Sequence, residues 1–185
     1  MKNKIIILLT LIFGLKAGVF AQVYISKTAK PLTEIVNSTH LTAENRISYD
    51  NAYAHLNNLN YRSFNKSTFA GEYFRYDNLI IQLVVITQKN AIYFKPLPEV
   101  QKGVRMLISG GIERPLQEYF TDYISTIGDH KAYVNYFKEG SNTINFVIQD
   151  NSGRYVLDGT VYHSNADKTK AINLVNTLIN SLSFK

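Results

Sequence analysis

The stretch Thr143–His163, TINFVIQDNSGRYVLDGTVYH, decides the fold. Its two halves are rich in β-branched and aromatic residues, and Asp150-Asn151-Ser152-Gly153 between them is a turn. Ile144, Phe146 and Ile148 alternate with Asn145, Val147 and Gln149, so one side of the strand is apolar and the other mixed. Upstream, Lys131–Lys138 (KAYVNYFK) is a third such run, set off by Glu139-Gly140-Ser141-Asn142. Short Gly-containing loops between three β-rich runs predict an antiparallel meander. Gly159, inside the last run, predicts a bulge.

The segment after the meander is helical. In SNADKTKAINLVNTLINSLSFK, Ser164 and Asp167 form a capping pattern in which each side chain satisfies a free backbone N–H near the helix start. Ala171, Leu174, Val175, Leu178, Ile179 and Leu182 make one stripe, opposed by Lys168, Lys170, Asn173, Asn176, Thr177 and Asn180. Such a helix packs against a sheet, and burying four or five of these side chains stabilises by about 8 to 12 kcal/mol before chain entropy is subtracted.

Working further out, Leu116, Tyr119, Phe120, Tyr123, Ile124 and Ile127 stand at helical spacing behind Pro115 and ahead of Gly128, which predicts a helix over 116–127. On it Glu118 and Asp122, four apart, occupy a solvated side. Gly103–Ser109 (GVRMLIS) is expected to be a strand broken by Gly110-Gly111. Gly71–Tyr76 and Leu79–Gln88 predict a hairpin across Asp77-Asn78, the second strand apolar on both faces and therefore interior. Ala91–Lys95 adds a strand ended by Pro96 and Pro98, Tyr49–Leu59 predicts a short helix capped by Ser48 or Asp50, and 22–42 is expected to be a strand fragment and loop. The sum is a single α+β domain, an antiparallel β-sheet flanked by helices in an α/β/α sandwich.

The first 21 residues set the expected destination. Lys2 and Lys4, the apolar run Ile5–Leu15 and the small-residue ending Val19-Phe20-Ala21 have the build of a secretory signal peptide, leaving 22–185 as the domain. The expected location is therefore exported, in the periplasm or outside the cell. Without Lys2, Lys4 and Lys16 the balance falls from 20 basic against 14 acidic residues to 17 against 14. With no basic run left, a nucleic-acid partner is not expected. The absence of cysteine removes thiol catalysis, lipid attachment after the signal and thiolate zinc sites. No run past residue 21 is long enough to span a bilayer.

The strands Lys131-Ala132-Tyr133-Val134 and Arg154–Thr160, succeeded by a final helix closing on Ser181-Leu182-Ser183-Phe184, resemble the PsbP/Mog1-like superfamily over Gly103–Lys185. The resemblance implies an antiparallel sheet sandwiched by helices and mostly non-enzymatic work: photosystem accessory subunits, a small-GTPase binder, secretion-system adaptor chaperones. Ala21-Gln22 and the richness in Asn, Ile, Lys and Tyr resemble exported proteins of Bacteroidetes.

Candidate chemistry is sparse. Of the four histidines, only His130 has a carboxylate neighbour, Asp129, and the pair is expected to be a polar turn. A secreted hydrolase would have to draw on Asp129, His130, Asp158 and His163. No catalytic residue, cofactor or metal site is assigned. The unusual resource is thirteen tyrosines, of which Tyr73, Tyr76, Tyr93, Tyr133 and Tyr136 form a possible partner surface, since tyrosine combines apolar area with a hydrogen bond. The same rings are core if helices cover both faces of the sheet. The function expected is an exported non-enzymatic module that binds a protein partner, an envelope accessory, adaptor or immunity protein. The alternatives are the hydrolase and a small-ligand or lipid-binding module with an aromatic groove.

Overall fold

The structure, a computed structural model, describes residues 31–58, 71–87, 94–110 and 115–185. The expected signal segment, the strand fragment from Gln22, Tyr93 and most of the 91–95 strand lie outside them. The described residues form a seven-stranded antiparallel sheet, helices on both of its faces and a two-stranded clasp.

The meander is present as β6 (His130–Phe137), β7 (Thr143–Asp150) and β8 (Val156–Tyr162). The predicted hairpin is β3 (Glu72–Tyr76) and β4 (Leu79–Ile86), with Asp77 at φ 50° in the turn. With β2 (Arg46–Ile47) and β5 (Phe120–Ile127), the sheet order is β2-β3-β4-β8-β7-β6-β5. β4 is interior, between β3 and β8, and Ile80, Ile81, Leu83 and Ile86 are buried on its two sides.

The C-terminal helix α5 (Lys168–Ser181) lies over one face. Ser164 caps the turn that precedes it: its hydroxyl accepts from Asp167 N at 3.2 Å and donates to the Asp167 carboxylate at 2.6 Å. Ala171, Val175, Leu178 and Ile179 meet Phe74, Ile81, Leu83, Val134, Ile144, Phe146, Leu157 and Val161 in the main core. The last residues add β9 (Ser183–Phe184), which pairs with β1 (Val36–Asn37) just after the helical turn α1 (Leu32–Ile35). Part of the expected loop is thus ordered, because Leu32, Ile35 and Val36 are buried in the same core.

The other face carries two helices. α2 (Tyr49–Asn58), started by Ser48 as expected, covers Tyr73, Ile80 and Tyr162 with Ala52 and Leu56. α3 (Leu97–Ser109) covers Ile86, Tyr133, Val147 and Val156 with Leu97 and Val100.

Three sequence expectations are overturned. Gly103–Ser109 is the end of helix α3, not a strand: Pro96 and Pro98 open a helix here, where a missing N–H costs nothing, and Gly110 closes it. Leu97, Val100 and Val104 supply its apolar side; a short apolar run alone does not separate helix from strand. The 116–127 helix lasts one turn, α4 (Leu116–Tyr119), and gives way to β5. Thr121, Ile124, Thr126 and Ile127 are β-branched, and Tyr123 and Ile124, neighbours on one imagined helical stripe, pack on opposite faces of the sheet. Gly128, at φ 55°, belongs to the β5–β6 turn, and Asp122 is a strand residue. Finally, Gly159 makes no bulge. It pairs in register with Leu83 and Phe146, and a Cβ there would sit 2.2 Å from the Phe146 ring, so the glycine makes room for that ring.

Candidate binding surface

The four residues that a hydrolase would draw on, Asp129, His130, Asp158 and His163, are not brought together. His130 opens β6 opposite Asp150, whereas the backbone of His163 bonds Asn142 O at the other end of β7. The 8 residues of β7 lie between them, about 25 Å of strand. Asp158 projects toward α3 beside Val147, and His163 falls on the α5 side with Val161.

Both buried histidines have structural tasks. His130 Nδ1 lies 2.9 Å from Asp129 Oδ1, and Nε2 lies 2.9 Å from Ile179 O, a last-turn carbonyl of α5 that has no partner within its helix. Asp129 Oδ2 also accepts from Phe184 N, at 3.3 Å. The hydrogen bond from His130 is the main reason the Asp129 carboxyl is held below the usual range. The pair therefore fastens the β5–β6 turn to the end of α5 and to β9. His163 donates from Nδ1 to Ser164 O at 2.7 Å, its Nε2 has no hydrogen-bond partner among the described residues, and burial pushes its pKa down. Among the described residues, no three His, Asp or Glu side chains are grouped to hold a metal ion.

The structure removes two of the five tyrosines from the expected surface. Tyr73 and Tyr133 are buried under α2 and α3, so helix coverage makes them core and corrects their assignment to a partner surface. Burial pushes both phenols well up. Tyr76 and Tyr136 are half-buried on the opposite face: Tyr76 accepts from Asn45 Nδ2 at 2.6 Å, and Tyr136 lies 5.6 Å under Lys168 Nζ. Alternation along β6 separates Tyr133 from Tyr136, three residues on.

The α2/α3 face holds instead a row of polar residues in register. Gln82 on β4 is opposite Thr160 on β8, Thr160 opposite Asn145 on β7, Asn145 opposite Asn135 on β6, and Asn135 opposite Asp122 on β5. Four strand spacings make the row about 19 Å long. It runs between the patch covered by α2 and the patch covered by α3, and each of its residues is partly exposed. Thr160 Oγ1 donates to Asn145 Oδ1 at 3.2 Å, and Tyr162 OH donates to Gln82 Oε1 at 2.8 Å. At the far end Arg105 of α3 grips Asp122 with two bonds of 2.8 Å, and Tyr133 OH adds a third at 3.3 Å. The sequence signal was the mixed side of β7. Only the strand register joins Asn145 to its four neighbours.

The row ends at β5, an edge strand of the sheet formed by the described residues. β5 pairs with β6 along all its length, from Phe120↔Phe137 to Ile127↔His130, and β6 is its one strand neighbour among the described residues. It contains no proline, no lysine and no bulge, the usual protections of an edge. The opposite edge, β2, is 2 residues long. Beside β5, α3 carries Met106 and Leu107, both exposed.

No family model matches the chain, and no curated protein matches it. Among solved structures it is similar to cyanobacterial PsbP (CyanoP) from Synechocystis sp. PCC 6803, in solution. The identity is 8%, the match covers 65% of this chain and 79% of that one, and the TM-score is 0.39. The described residues form an α+β fold with an antiparallel sheet flanked by helices. None of their helices is long and apolar enough to cross a membrane.

Proposed function

We propose that the protein is exported and works without catalysis, as an accessory module of the cell envelope that holds a protein partner at the β5 edge. The observation that carries this reading is the edge itself: eight residues of regular strand with a strand neighbour, β6, on one side only among the described residues. A row of alternating N–H and C=O groups is completed by an extended segment of another polypeptide, which adds a strand to the sheet. The Arg105–Asp122 pair neutralises the one charge on β5, so neither sign of partner is repelled there. The segment Lys2–Ala21 supports export.

Two measurements test it. Tagged full-length chain expressed in its own host is fractionated and its N-terminus sequenced. The reading expects it outside the cytoplasm, beginning at Gln22. Ser125→Pro and Thr126→Pro are then compared in co-purification. Alternate N–H groups of an edge strand face outward, so one of the two variants removes an outward donor and spares the ladder to β6. That variant is expected to keep its circular dichroism and lose the partner. A folded pair of variants that both retain the partner, or an uncleaved cytoplasmic chain, overturns the reading.

A further inference from the structure

We propose that the polar row Gln82–Thr160–Asn145–Asn135–Asp122 is a second binding site, and that it takes a neutral polyhydroxylated chain, an oligosaccharide, laid across the strands.

The residue types set the ligand class. Each hydroxyl of a saccharide both donates and accepts, and a side-chain amide offers both functions from one group. Among the described residues Asn135 makes no side-chain hydrogen bond, and Asn145 uses only its oxygen, on Thr160. These adjacent amides, across from one another on β6 and β7, are placed to serve a ligand. Charge among the described residues of the row favours a neutral ligand. Asp122 is matched by the two-bond grip of Arg105, so that guanidinium is committed to a carboxylate of its own chain and is not offered to a ligand's phosphate or carboxylate. A lipid tail finds no apolar floor along the row.

The geometry is that of a face, and this separates the row from the β5 edge. An extended peptide gains its affinity from backbone pairing at an edge, which a sheet face does not provide. A chain carrying its own hydroxyls needs only side chains. Beside Asn135, two residues on along β6, half-buried Phe137 stacks on Tyr119 at 6.4 Å and meets Phe120 edge-on at 5.4 Å. That aromatic group gives the C–H side of a sugar ring an apolar surface next to the amides.

The test uses the purified chain from Gln22 onward, labelled with nitrogen-15. It is titrated separately with cellohexaose, maltohexaose and chitohexaose, and with an oligogalacturonate as the anionic counterpart. The side-chain amide signals of Gln82, Asn135 and Asn145 are monitored. At least one neutral hexaose is expected to shift all three, and the double variant Asn135→Ala/Asn145→Ala to weaken that binding about tenfold or more, with the rest of its spectrum unchanged. Absence of shifts at these amides with all three neutral chains overturns the proposal. So does undiminished binding by the double variant, or equal binding of the oligogalacturonate. The partner at the β5 edge is absent from this experiment, so the two readings fail or stand separately.

Discussion

The two faces of the sheet are built from the same strands and are packed differently. Under α5 the alternation of β4, β8, β7 and β6 brings Ile81, Leu83, Leu157, Val161, Ile144, Phe146, Ile148, Ala132 and Val134 into one continuous core. Under α2 and α3 the complementary positions split into two smaller apolar clusters, with polar residues in register between them. A continuous apolar face closed by one helix is a solution to folding. A face interrupted across five strands forgoes apolar burial that Val or Ile at those positions would have supplied, at about 1.5 to 3 kcal/mol each if fully buried. That difference is why the stability is assigned to the first face and binding to the second.

A single urea series breaks or sharpens the contrast. Phe146→Ala, on the α5 face, is expected to cost about 3 to 5 kcal/mol, because it empties the space that Gly159 leaves for the ring. His130→Ala is expected to cost about 2 kcal/mol, since it strands the Ile179 carbonyl in a buried setting. Asn135→Ala, on the other face, is expected to stay within about 0.5 kcal/mol of the parent. A large loss for Asn135→Ala would make the polar row structural.

The next effect is pH-dependent and belongs to the α5 face. Burial lowers the pKa of His163, so the unfolded chain binds a proton more readily than the folded one. Its contribution to stability is fully present above about pH 6.5, the unfolded value, and is lost as pH falls from there through the lower folded value. Urea midpoints measured across that range are expected to fall for the parent and to be flatter for His163→Gln. Equal slopes would remove the assigned cause.

How much of this is legible in the sequence depends on the range of the interactions. β6 to β8 and α5 are readable because alternation, turns and the Ser164 cap are local patterns, and the tertiary structure agrees with them. The 116–127 segment misleads because Tyr119, Phe120, Tyr123, Ile124 and Ile127 satisfy a helical spacing while their β-branched neighbours favour a strand. Pairing with β6 over eight residues decides between them. Gly103–Ser109 misleads because its helix begins earlier, at Leu97, behind a proline read as an end. Tyr73 and Tyr133 drop out of the tyrosine surface because they lie under helices whose positions over the sheet are set by tertiary packing. The polar row is visible only as the mixed side of β7, since register across five strands is not written in any one of them.

The most direct test of the division of labour places a photo-crosslinking amino acid in living cells, at Thr126 on the β5 edge or at Asn173 on the outer side of α5, both exposed. The account predicts a discrete protein adduct from position 126 and none from position 173. An adduct from position 173 alone, or the same adduct from both, would contradict it.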